Sequence, residues 1–136
     1  MEREAPNPGP PPGRRVLVVD DNLDSVDSLA LLLRIRGHQV QTAPDGPAAL
    51  EAARAFQPEV VLLDIGLPGM TGHEVARRLR QLPGMERALL VALTGYGQDD
   101  DRRLSQEAGF NVHLVKPADP DQLQAVLAGL GERPAG

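Results

Sequence analysis

Four short apolar runs of this chain end in residues able to handle a metal ion or a phosphoryl group. RVLVVD, Arg15–Asp20, runs into a second acid, Asp21. VVLLD ends in Asp64, LLVALT ends in Thr94, and VHLV passes into Lys116 and Pro117. Lys116 is the only lysine among 14 basic residues, the rest being arginine. A compact ammonium on a flexible stem suits a single oxygen better than a guanidinium fork does. Three carboxylates and one ammonium sum to −2. Crowded at a low-dielectric rim, such acids repel, and either one takes up a proton or a divalent cation cancels the charge. Carboxylate oxygens without His or Cys favour Mg2+ and admit Mn2+. A carboxylate can also be the nucleophile that forms an acyl phosphate. Asp64 is the candidate, because its apolar strand holds its backbone and Gly66 lets a backbone carbonyl approach a metal. The Thr94 hydroxyl and the Lys116 ammonium would meet the remaining phosphoryl oxygens.

Each residue alone also has a plainer reading. Asp20, Asp21 or Asn22 can cap the helix that follows. Thr94 can be a strand-end threonine, and Lys116-Pro117 a strand exit. Asp64 resists this treatment, because no helix begins directly after it. The case for chemistry is the conjunction: four strand ends each carry a residue type that phosphoryl chemistry needs.

These ends meet only if the runs are parallel strands of one sheet. Between them the chain alternates β-branched runs with helical spacing. Strands are expected at Arg15–Asp20, Gln39–Thr42, Val60–Asp64, Leu89–Thr94 and Val112–Val115. Val26, Leu29, Ala30 and Leu33 follow the i, i+3, i+4, i+7 spacing of a helix over Leu23–Arg36, with Gly37 as its stop. Further helices are expected from the Pro44–Pro47 turn to Phe56, over Gly72–Leu82 and Asp99–Ala108, and over Asp119–Leu130. Ala49, Ala52, Ala53 and Phe56 face inward on the first of these, and Leu104 and Ala108 anchor the Asp99–Ala108 helix. Arg77, Arg78 and Arg80 read as a solvated face. Leu31, Leu32 and Ile35 exceed the inner stripe of the first helix, as extra core or as a partner surface. Five βα units imply an α/β fold with a parallel sheet covered on both faces, and ligands outside the carboxyl ends of the strands.

Composition narrows the function classes. The 136 residues suit one domain, and at 41% hydrophobic but 2% aromatic the core must be Leu, Val, Ile and Ala. A net charge of −5 argues against direct nucleic-acid binding. No cysteine means no disulfide or thiol chemistry. The longest apolar run, Ala88–Leu93, is too short to span a bilayer, and the N-terminus lacks a signal-peptide stretch. No membrane association and a cytoplasmic location are therefore expected. Residues 1–13 hold five of the 13 prolines and read as a disordered tail or linker, with the domain over 14–131 and a tail over 132–136.

VLVVDDN, VVLLDIGLPGMTG, ALTGYG and HLVKPAD, in this order, resemble the receiver domain of bacterial two-component response regulators over residues 14–131. The wording GFNVHLVKPAD is most similar to receivers attached to hybrid histidine kinases. The resemblance implies a flavodoxin-like sheet of five parallel strands in order 2-1-3-4-5, flanked by five helices. It implies that Asp64 takes a phosphoryl group from a phosphohistidine on a histidine kinase or histidine phosphotransfer protein. Asp21, Asp64 and the Gly66 carbonyl would bind Mg2+, with Asp20 acting through water, while Thr94 and Lys116 contact the phosphoryl oxygens. The Lys116–Pro117 bond would be cis. In the family an aromatic residue three before the lysine follows the inward-moving threonine; here that switch position is His113, with Tyr96 a second candidate gate. The chain would then be a signalling phosphoacceptor and not an enzyme, a monomer or weak dimer, either a single-domain regulator or the receiver of a hybrid kinase. Three rivals stand beside it. A phosphorylation-independent pseudo-receiver has the intact acceptor set against it. A Mg2+-dependent aspartyl-phosphate phosphatase would need a second aspartate where Gly66 stands. Nucleotide or flavin binding lacks a Gly-rich loop after the first strand.

Overall fold

Strands buried on both faces read as continuous apolar runs, and the three central strands here do so. A computed structural model describes residues 13–95, 102–116 and 118–129. Most of the proline-rich start, Tyr96, Pro117 and the C-terminal tail lie outside the described residues, and with them the expectations of a linker, a Tyr96 gate and a cis bond. Five strands, β1 (Arg15–Val19), β2 (Gln39–Ala43), β3 (Val60–Asp64), β4 (Leu89–Thr94) and β5 (Val112–Val115), alternate with five helices, α1 (Leu23–Ile35), α2 (Gly46–Phe56), α3 (Gly72–Gln81), α4 (Arg102–Ala108) and α5 (Pro120–Gly129). All pairings are parallel and the order is β2-β1-β3-β4-β5. The polar strand β2 lies at an edge.

Side chains alternate across the sheet and divide the core in two. Leu17, Val19, Val61, Leu63, Leu90 and Ala92 pack with the small residues of α2 and with Val75, Ala76 and Leu79 of α3. Val16, Val18, Leu62, Val91 and Leu93 face Val26, Ala30 and Leu33 of α1 and Leu123 and Leu127 of α5. No helix among the described residues is long and apolar enough to cross a membrane.

Two details depart from the sequence reading. Leu104 is half exposed, while the neighbouring Ser105 is fully buried. Ser105 and Ala108, three apart, form the inner edge of α4, and Ser105 Oγ lies 2.9 Å from His73 Nε2 of α3. A helix of seven residues is too short for periodicity to set its phase. Arg80 does not share the solvated face of Arg77 and Arg78. It is half-buried, and its guanidinium donates to the carbonyls of Met85, Glu86, Ala88 and Gly109 and to Asn111 Oδ1.

Candidate functional site

The register brings the chemistry-bearing ends together. Val19 lies beside Leu63, Asp64 beside Leu93, and Thr94 beside Val115. Asp20, Asp64, Thr94 and Lys116 therefore leave the sheet at one edge, the first three from strands buried in the core and Lys116 from the partly exposed outer strand β5. Asp20, Asp64 and Thr94 are themselves buried.

Capping decides which acids are available. Asn22 caps α1, its side chain accepting from Ser25 N at 3.1 Å. Neither Asp20 nor Asp21 has that duty. Asp20 Oδ1 accepts from Asn22 N at 3.0 Å and its Oδ2 meets Lys116 Nζ at 2.7 Å. Asp64 Oδ1 accepts from Gly66 N at 2.9 Å, and Oδ2 lies 3.3 Å from Lys116 Nζ. Asp21 is exposed, yet the carboxylates of Asp20, Asp21 and Asp64 each offer an oxygen within 4.8 Å of the others. Lys116 thus bridges two buried acids while the third borders solvent. This all-oxygen donor set fits a hard divalent cation.

The electrostatics follow. Burial raises the Asp64 pKa; the Gly66 N–H and the Lys116 charge pull it back in part, and the Asp20 charge adds to the rise. For Lys116 burial acts against the charge, but the hydrogen bond to Asp20 and the charges of Asp64 and Asp20 outweigh it, leaving the ammonium above its usual value. The site carries more negative charge than its lysine compensates.

The loop after Asp64 is anchored at its far end. Gly72, the first residue of α3, donates to Ile65 O at 3.3 Å. A Cβ there would lie 2.7 Å from Ile65 Cα and 2.8 Å from Asp64 O, both backbone atoms unable to give way. Gly72→Ala is therefore expected to lower unfolding free energy by about 1–3 kcal/mol, read by urea titration, although alanine is the better helix former.

Thr94 Oγ1 donates to Leu114 O at 3.5 Å, a weak bond at the limit of useful length. His113 is half-buried on β5, its ring 6.2 Å from that of Phe110, which meets the His73 ring edge-on at 6.0 Å. Beyond the Gly66 carbonyl expected from the sequence, the Gly66 N–H also serves the acceptor. The Asp-x-Gly spacing of an Asx turn is the signal that points to it. Beside the site, a groove of about 520 Å³ is lined by Leu29 and Leu32 of α1, by Val18 and Leu93 of the sheet, and by Asp20 and Lys116.

A family model described as the response regulator receiver domain matches residues 16–128. An uncharacterised 14.6 kDa protein of Leptolyngbya boryana is 38% identical over 108 residues, 79% of this chain and 82% of that protein. The DNA-binding response regulator MtrA of Mycolicibacterium paratuberculosis is 38% identical over 112 residues, 82% of this chain but 48% of that protein. The chain thus spans about half the length of that DNA-binding regulator. Among solved structures, the receiver domain of sensor histidine kinase PA1611 from Pseudomonas aeruginosa, with a magnesium ion coordinated in its active-site cleft, superposes with a TM-score of 0.76 at 30% identity, covering 85% of this chain and 94% of that one.

Proposed function

This chain belongs to the response regulator receiver family, and from that premise we propose that Asp64 accepts a phosphoryl group from a phosphohistidine on a histidine kinase or histidine phosphotransfer protein. The observation that carries this reading is the bridging of Asp20 and Asp64 by Lys116, with Asp21 in reach of both acids. An Asp64 oxygen forms the bond to phosphorus as the phosphorus–nitrogen bond of the donor breaks, and the leaving imidazole takes a proton. Lys116 would meet a phosphoryl oxygen, and Thr94, whose bond to Leu114 O is weak, would meet another.

Asp21, Asp64 and the Gly66 carbonyl would hold Mg2+, with Asp20 acting through water; Mn2+ suits the same donors. When bound, the ion neutralises the excess negative charge and that of the arriving phosphoryl oxygens. Asp64 must be ionised to attack, and here its burial works against it while Lys116 and the Gly66 N–H work for it. The groove beside the site and the exposed Leu31 and Ile35 on α1 would receive a helix of the donor. Thr94 and His113 would carry the change outward, with Tyr96 a second candidate gate. On this reading the receiver unit runs over residues 14–131 and works in the cytoplasm as a signalling phosphoacceptor.

Incubation with acetyl phosphate and Mg2+, followed by intact-mass measurement, tests the proposal. A gain of about 80 Da, one phosphoryl group, is expected. No adduct would favour the phosphorylation-independent alternative. Steady turnover of a generic phosphate ester would favour a phosphatase, for which position 66 offers no side-chain acid.

A further inference from the structure

We infer that Gly46, the first residue of α2, is a positioning residue for the loop that carries the acceptor's hydrogen-bond donor. The inference rests on the receiver reading only for its consequence in phosphorylation; its geometric part stands apart. The loop runs from Ile65 to Thr71. At one end Gly66 N donates to Asp64 Oδ1, and at the other Gly72 lies against the backbone of Asp64 and Ile65. Between these ends, Met70 lies against the start of α2. A Cβ on Gly46 would lie 2.9 Å from Met70 Sδ, 3.0 Å from Met70 Cβ and 2.9 Å from Val75 Cγ2. Backbone conformation does not demand glycine here, since Gly46 is not among the residues with positive φ. Helix propensity alone favours alanine. What calls for glycine is the close approach of α2 to Met70 and Val75.

The start of α2 is poorly able to yield. Asp45 caps it, accepting from Ala48 N at 2.9 Å, and Pro47 stiffens the first turn. Val75 is fully buried in α3. Met70 is half-buried in a loop, so displacement passes to the loop and from there to Gly66. A shift of a fraction of an ångström at Gly66 misdirects both the N–H that orients Asp64 and the carbonyl proposed to face the metal.

The test compares Gly46→Ala, Met70→Ala, Gly46→Ala/Met70→Ala and Gly46→Ala/Val75→Ala in the full chain. The Gly66 amide resonance of metal-free protein is read by NMR, and the rate of phosphorylation by acetyl phosphate by intact mass. Gly46→Ala is expected to move the Gly66 amide proton upfield, as its hydrogen bond weakens, and to slow phosphorylation by about tenfold or more. Adding Met70→Ala is expected to restore both. An unchanged Gly66 resonance in Gly46→Ala overturns the inference. So does rescue by Val75→Ala but not Met70→Ala, which marks general core strain. If Gly46→Ala does not fold, Met70→Ala alone decides: faster hydrogen exchange at Gly66 supports the inference and unchanged exchange overturns it. If the wild-type protein takes no phosphoryl group, the receiver chemistry fails, while the Gly66 resonance still decides the positional claim.

Discussion

Asp64→Asn is expected to abolish phosphoryl uptake and at the same time to stabilise the metal-free protein at pH 7. The loss is complete because an amide oxygen is not a nucleophile able to form the acyl phosphate. The gain follows from the site's charges. Asn keeps an oxygen for the Gly66 N–H, which Asp64 Oδ1 accepts at 2.9 Å. Lys116 keeps its 2.7 Å contact with Asp20. One of three clustered carboxylates is removed, and the excess charge falls from −2 to −1. Stabilisation of about 0.5–2 kcal/mol is typical when a functional site is relieved in this way. Because burial raises the Asp64 pKa in the folded protein, protonation favours folding. Asp64 therefore contributes full stability below the unfolded pKa and loses it as pH rises through the folded one. The advantage of the asparagine variant should be absent in strong acid and full at neutral pH. Urea titrations in EDTA at several pH values read it. Mg2+ should then raise the wild type more than the variant. A variant less stable than wild type at pH 7 would mean that Asp64 is chiefly the anchor of Lys116.

Much of this site is visible in the sequence because strand ends are simple to read. Val60–Asp64 and Leu89–Thr94 have the bounds that their apolar runs suggest. Periodicity alone yields alternating strands and helices; the order 2-1-3-4-5 came from the motifs and not from any pattern of apolar residues. Finer choices were out of reach for definite reasons. Asp20, Asp21 and Asn22 have nearly equal capping preferences, so only geometry shows that Asn22 takes the cap. One of the two inward residues of α4 is a serine, because His73 on a distant stretch supplies its partner. The tight approach of Gly46 to Met70 joins residues 24 apart, and no local spacing encodes it. Arg80 departs from the solvated face for another reason. It follows Leu79 by one residue and so flanks the buried stripe of α3, where a long side chain can turn toward solvent or along the protein. Helical phase does not say which.

Arg80→Met is expected to be strongly destabilising, because the contacts of Arg80 make it a clasp for the half of the sheet that ends in Lys116. Its Nη1 donates to Met85 O, Glu86 O and Ala88 O at 3.4, 3.1 and 2.6 Å, just before β4 begins. Its Nε and Nη2 both donate to Gly109 O, at 3.2 and 2.7 Å, in the turn between α4 and β5. Nη2 also reaches Asn111 Oδ1 at 2.7 Å, the same oxygen that accepts from Leu90 N at 2.9 Å. One cation thus joins the end of α3 to the entries of β4 and β5, the strands that deliver Thr94 and Lys116. Arg80→Met keeps the apolar stem and removes every donor. Carbonyls near the core lose a charged partner, each unsatisfied group costing about 1–3 kcal/mol less whatever water restores. A net loss of about 2–4 kcal/mol is expected, a large share of a small domain's stability. Arg80→Lys should recover only part of it, since a point ammonium cannot serve carbonyls on both sides as a planar fork does. Urea unfolding of the three proteins measures the series. If Arg80→Met costs no more than a surface substitution such as Arg77→Met, the fork is a passive decoration and β4 and β5 are held by their ladder and core alone.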